Sequence, residues 1–249
     1  SDEHTGIIEL PAAPPVGTPA AVALGLDDPV FEVAITPNRP DCLGVRGIAR
    51  DLAAAGIGTL RPDPAAPVPG KFPNSIPVGL HFAPGTEDAC PIFAGRLIRG
   101  VTDRPSPDWL QRRLRAIGLR PISALVDITN YISYDRARPL HVFDAAKVRG
   151  EIHARLAKSG ETIAALDGRA YTLDDTMTVI ADDAGALSIA GIMGGEPSSV
   201  TADTSDVFVE SAWFDPIRTA ATGRRLNIVS DARYRFERGT DPEFVVPGL

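Results

Sequence analysis

With 249 residues, 44% of them hydrophobic, the chain is long enough to bury a core and suits one large or two small globular domains. Its formal net charge of −7 supplies no global basic field for nucleic acid, and no run reaches the ~18 apolar residues of a membrane span. Cys42 and Cys90 are far apart with no CxxC spacing, so they read as small buried hydrophobes of a reducing compartment rather than disulfide or metal ligands. No signal peptide is visible, and the start Ser-Asp-Glu-His points to an excised piece of a longer cytoplasmic protein. Local basic patches keep RNA open as a partner: Arg112, Arg113, Arg115 and Arg120 cluster, as do Arg224, Arg225, Arg233, Arg235 and Arg238.

Residues 1–30, rich in Pro, Ala and Gly with a short apolar pair at Ile7-Ile8, read as an irregular lead-in. The alternating run Val30–Ile35 predicts a strand. After a turn over Pro37–Pro40, Asp41 is the expected cap of a helix reaching about Ala55, with Gly56 ending it. The composition shifts most sharply in the proline-rich stretch 61–78, which divides the chain into units 1–75 and 76–249. Beyond it, Phe93–Ile98 predicts a strand. Ser106-Pro107 opens a helix as hydroxyl cap and first-turn proline, with Trp109, Leu110, Leu114 and Ile117 as its stripe and Gly118 as its end.

A second helix is expected over Ile122–Tyr134, and then the texture becomes short strands: Ile152–Leu156, Glu161–Ala165, Ala170–Leu173, Thr178–Ala181 and Leu187–Ile189. Asp167-Gly168 is a hairpin turn, Val207–Ala212 a further strand and Pro216–Leu226 the last helix. Grouped strands with helices to one side predict an α+β fold, a mostly antiparallel sheet or split barrel preceded by a small helix-containing segment.

Four blocks hold the residues that could carry chemistry: ITPNRPDCLGVRG at 35–47, VDITNYISYDRARPLHVFD at 126–144, AGIMGGE at 190–196 and SDARYRFERGTDPE at 230–243. His141, behind Arg138-Pro139, reads equally well as a loop tether and as a donor orienting a ligand or water. The glycines of 190–196 mark either a turn needing positive φ or a close backbone approach to a ligand, where N–H groups could hold an oxyanion. Glu210 lies within the apolar run VFVESAWF, and alternation alone puts it on the surface. Ser230 and Asp231 could be no more than turn or capping groups. No GxSxG, HExxH or phosphate-loop pattern is present, so no nucleophilic triad can be assembled.

Together and in this order, the four blocks closely resemble the central part of bacterial phenylalanyl-tRNA synthetase beta subunits, which contains an editing module. The resemblance runs from Ile35 to the C-terminus. It implies hydrolysis of tyrosine mistakenly esterified to phenylalanine tRNA, with His141, Gly194 and Gly195 at the catalytic centre. It implies that Glu210 accepts a hydrogen bond from the tyrosine hydroxyl, and that Ser230 and Ala232 lie beside the same pocket. Asn130 is implied for the amino-acid backbone and Arg120 for the RNA end.

The implied partners are tyrosine-charged tRNA(Phe) and the alpha subunit of a heterotetramer, with no DNA and no membrane. No cofactor is implied for this chain, no metal at its site, and ATP and magnesium for the holoenzyme. The alternative is a non-catalytic scaffold that guides the tRNA end. Departures from the family pattern are Arg136-Ala137-Arg138-Pro139 where Leu-Gly-Gln-Pro is common, Ser123-Ala124 near two usual asparagines, and Ala165 where threonine is common. They bear on the polarity of the pocket.

Overall fold

The computed structural model describes residue 10, residues 13–63 and residues 67–249; Ile7-Ile8 and part of the proline-rich stretch, 64–66, lie outside them. One turn of helix, α1 (Ala20–Ala23), precedes a long irregular segment. The expected strand at Val30–Ile35 is absent. Val30, Phe31 and Val33 are all exposed, so the alternation there has no sheet to pair with and no core face to fill.

Asp41 does not cap a helix either. It lies in a 3-10 turn, Pro40–Leu43, where its carboxylate is bound by Arg39 and Arg50, and α2 (Val45–Ala54) starts after Gly44. Residues before the linker pack against those after it. A Cβ on Gly44 would come within 2.4 Å of the Ala137 nitrogen, Arg235 Nη1 donates to the Leu43 carbonyl at 2.7 Å, and Arg136 pairs with Asp63.

The helices α3 (Asp108–Ala116) and α4 (Ala124–Arg136) are joined by one buried carboxylate. Asp127 accepts from the Ser106 hydroxyl at 2.6 Å and from the Ile122 N–H at 2.9 Å. Ser106 therefore ties α3 to α4 instead of capping α3, whose N-cap is Pro107. The Ile122 amide, engaged by Asp127, delays the start of α4 by two residues relative to the sequence expectation. Gly118 closes the α3 turn at φ 82°, as its position predicts.

Among the described residues, ten strands form three sheets. The largest has the order β1 (Val78–His81), β4 (Ile152–Leu156), β7 (Thr178–Asp182), β8 (Gly185–Ile189), β9 (Met193–Gly194); only β1 and β4 run parallel. The second is antiparallel, with β10 (Asp206–Trp213) between β2 (Ile92–Arg99) and β3 (His141–Asp144). The third is the hairpin β5 (Thr162–Ala164) and β6 (Ala170–Thr172), turned at Asp167-Gly168 with Gly168 at φ 77°.

Helices α5 (Pro216–Arg225) and α6 (Asp231–Phe236) complete the chain, α5 capped by the Asp215 carboxylate on the Arg218 N–H. The fold is α+β and mostly antiparallel, with no closed barrel among the described residues. One core cluster is built on Phe143, Phe208, Phe214 and Phe236, and a second on Met177, Val179, Ile189 and Ile192.

Candidate functional site

The centre of the second sheet places the residues of interest. Side chains alternate along β10, so Phe208, Glu210 and Ala212 share one face. Phe208 and Ala212 belong to the aromatic core cluster. Glu210 is therefore buried, at 6% exposure, and not on the surface as alternation suggested. Alternation misleads here because both faces of β10 are covered: Val207 and Ser211, on the other face, are each 1% exposed. Its Oε2 is buried with no hydrogen-bond partner, and burial pushes the carboxyl up to about 8.

His141 is the residue directly opposite Glu210 in the β10–β3 ladder. Directly opposed residues of an antiparallel pair project from the same face, with Cβ atoms ~5 Å apart. The His141 ring stands edge-on to Phe143 at 4.5 Å between centroids, and its Nε2 is buried without a partner. Burial lowers its basicity to about 4, so the imidazole is neutral near pH 7. Two unlike polar side chains thus share one apolar face, each with an unsatisfied atom.

The glycine-rich turn meets this face from the first sheet. A Cβ on Gly194 would lie 2.5 Å from His141 Cε1 and 2.8 Å from Leu166 Cδ1, so the imidazole occupies the space a side chain would need. Gly195 is tight for another reason: its Cβ would meet the Leu187 carbonyl oxygen at 2.4 Å. Its N–H donates to that same oxygen at 2.8 Å and so is not free to hold an oxyanion. Gly191 has φ 67° and lies against Phe214 and Phe236, which makes it both a turn and a close-packing position.

Ser230 does cap α6, accepting from the Arg233 N–H at 3.1 Å, and its hydroxyl also donates to the Ile192 carbonyl at 2.7 Å. It anchors the glycine turn through backbone. Ala232 is packed against the aromatic cluster that carries Glu210. Asn130 sits in the middle of α4 and Arg120 is exposed between α3 and α4. Among the described residues, no hydrogen bond joins either to His141 or Glu210.

Sequence reasoning missed Gly95, whereas Cys90 is the small buried hydrophobe it predicted. Gly95 pairs with Glu210 across β2, and a Cβ there would fall 1.9 Å from Phe208 Cζ, so its lack of a side chain admits the Phe208 ring. Glycine inside a strand was the available signal. Cys90 is fully buried, and burial with the nearby Glu210 carboxylate pushes its thiol up, away from reactivity.

Residues 89–249 match the B3/4 domain. Over its whole length the chain is 62% identical to the phenylalanine–tRNA ligase beta subunit of Paramagnetospirillum magneticum, 61% to that of Mesorhizobium japonicum and 59% to that of Cereibacter sphaeroides. The chain belongs to the B3/4 family of phenylalanine–tRNA ligase beta subunits. It spans 31% of the first of these relatives. An N-terminal fragment of the phenylalanyl-tRNA synthetase beta subunit from Pyrococcus horikoshii is similar over 77% of this chain and 60% of that one, at 20% identity and TM-score 0.44.

At 136–138 the side chains are engaged by the fold itself. Ala137 adopts φ 54° at the end of α4, a left-handed position where glycine carries less strain. Arg138 is 1% exposed and donates to the Ala212 carbonyl at 2.8 Å, to the Thr240 hydroxyl at 3.3 Å and to the Asp241 carbonyl. These arginines pin the C-terminal turn to β10 and the linker to α4, outside the His141–Glu210 face.

Proposed function

We propose that this B3/4 domain edits: it hydrolyses the ester of tyrosine mistakenly joined to tRNA(Phe). The observation that carries the reading is the opposed pair His141 and Glu210 on one apolar face, each with a buried polar atom that has no partner. A site that already holds an unsatisfied carboxyl oxygen gains a hydrogen bond when a phenol enters and none when phenylalanine does. Leaving such a group unpaired costs about 1–3 kcal/mol, and hydroxyl-reading sites reach roughly 10⁴–10⁵-fold discrimination. A synthetic pocket that only accommodates the ring rejects an added hydroxyl by about 10²-fold, so a second sieve has a purpose.

Neutral His141, its ring seated against Gly194, orients the ester or its attacking water through Nε2. With its basicity lowered to about 4 it is a weak base, so its part is positioning. Ser230 and Ala232 hold the turn and the aromatic wall around the substrate ring. Asn130 and Arg120 are assigned to the aminoacyl backbone and the RNA end. The division at residue 75 makes residues 76–249 the editing unit.

On the same reading the chain works in the cytoplasm with tRNA(Phe) and the alpha subunit of a heterotetramer. ATP and magnesium belong to the synthetic reaction, and no step here runs through them. The test is deacylation of preformed Tyr-tRNA(Phe) and Phe-tRNA(Phe) by the intact ligase, wild type and Glu210→Ala. Faster release of tyrosine, abolished by Glu210→Ala, is expected. Equal slow release of both, unchanged in the variant, would leave the chain a tRNA-guiding scaffold.

A further inference from the structure

A second group of titratable side chains lies on the far edge of the five-stranded sheet from β9 and Gly194. His81 on β1, Glu151 just before β4 and His153 on β4 converge there. His81 Nε2 is 2.8 Å from Glu151 Oε2, and His153 Nδ1 is 3.8 Å from the same oxygen. All three donor atoms lie within 4.8 Å of one another, and the two rings stack at 4.3 Å with 23° between their planes. Nothing in the editing reaction uses them.

A simple ion pair does not account for the trio. One proton satisfies His81 and Glu151, whereas His153 Nδ1 lies 3.3 Å from the Glu151 carbonyl and 3.8 Å from its carboxylate, both long contacts. Gly79 makes the convergence possible: a Cβ there would be 2.5 Å from Glu151 Oε1 and 2.9 Å from His81 Nε2. The nearby cation Arg155 is held by Glu161 through two contacts, at 2.6 and 2.8 Å.

We propose that His81, Glu151 and His153 form a site for a borderline divalent transition ion of the zinc type. Two imidazoles and one carboxylate suit Zn²⁺, Co²⁺ or Ni²⁺, whereas Mg²⁺ and Ca²⁺ want oxygen ligands throughout. Bonds of about 2.0–2.1 Å in a tetrahedron separate the donors by about 3.3 Å. The observed 2.8 and 3.8 Å bracket that value. His81 has 52% of its side chain exposed and supplies the adjustment, and a solvent molecule completes the coordination on its side. Because β1 is the edge strand and follows the proline-rich stretch, the ion clips that edge to β4.

The whole 249-residue chain, stripped with a chelator, is titrated with Co²⁺ and then Zn²⁺ while the visible Co²⁺ band and the heat of binding are followed. One equivalent of Co²⁺ binds, Zn²⁺ displaces it, and the unfolding midpoint rises with metal. His81→Ala and Glu151→Gln each weaken binding by about 100-fold or more, since even outer partners of a metal are worth ~10–100-fold. His81 is exposed, so its loss leaves the metal-free fold intact, checked by the metal-free unfolding midpoint. Cys42→Ser alters the other cluster of possible ligands, Asp41, Cys42 and Asp51, and leaves binding unchanged. No band and no heat, or binding lost in Cys42→Ser and kept in His81→Ala, overturns the proposal.

Discussion

Replacing Glu210 by glutamine isolates the effect of burying this carboxyl. Burial raises it from 4.5 to about 8. At 1.36 kcal/mol per unit, the folded chain disfavours the ionised form by roughly 5 kcal/mol. An acid whose folded value is raised contributes stability that is complete below its unfolded value and lost as pH rises through the folded one. The wild type should therefore lose stability relative to Glu210→Gln between about pH 4.5 and 8, by roughly 3 kcal/mol at pH 7. His141 acts in the opposite sense: its stability is present above 6.5 and lost as pH falls toward 4, and it is common to both proteins. Urea unfolding followed by Trp109 and Trp213 fluorescence, at steps from about pH 5 to 9, gives the difference directly. A difference constant to within about 0.5 kcal/mol across that range would refute the burial of an unpaired carboxyl.

Gly194→Ala drives a methyl into the His141 ring and Leu166, both side chains that can shift, so editing should fall at least tenfold with little change in unfolding midpoint. Gly195→Ala meets backbone instead, and should lower stability by more than ~2 kcal/mol before any effect on chemistry. Equal midpoints for the two variants would contradict that distinction. Arg138→Met leaves the Ala212 and Asp241 carbonyls short of a donor in a buried place, at a cost of about 3 kcal/mol; an unchanged denaturation curve would show that water reaches them. Ser230→Ala removes a helix cap worth about 1 kcal/mol, a drop of about 2–4 °C in Tm, and loosens the anchor at Ile192. Amide exchange at Ile192 and Met193 that stays as slow as in the wild type would remove Ser230 from its anchoring role.

The regular elements were legible because their signals are local. The hairpin at Asp167-Gly168, the helix starting at Pro216 and the strand around Phe208 are written in a few adjacent residues. Val30–Ile35 carried the same kind of signal and formed no strand, because pairing is decided by partners that a local pattern does not contain. Ser106 and Asp41 looked like caps, yet each side chain found a stronger charged partner, Asp127 in one case and Arg39 with Arg50 in the other. Glu210 shows the limit from the other side. Its alternation was right about which residues share a face, but the sequence does not say that the second face of β10 is also covered. The opposition of Glu210 to His141 joins positions 69 residues apart through a register that no spacing rule predicts.

That register has an evolutionary consequence. Because β10 is hydrogen-bonded on both sides, the distance between the two polar groups is a property of the backbone ladder and not of any loop. On the proposed editing reading, substitutions at position 210 change which substituent on a ring is read while the partner across the ladder stays where it is. Selectivity and positioning can therefore drift separately, and a lineage facing a different unwanted amino acid could re-aim one without rebuilding the other.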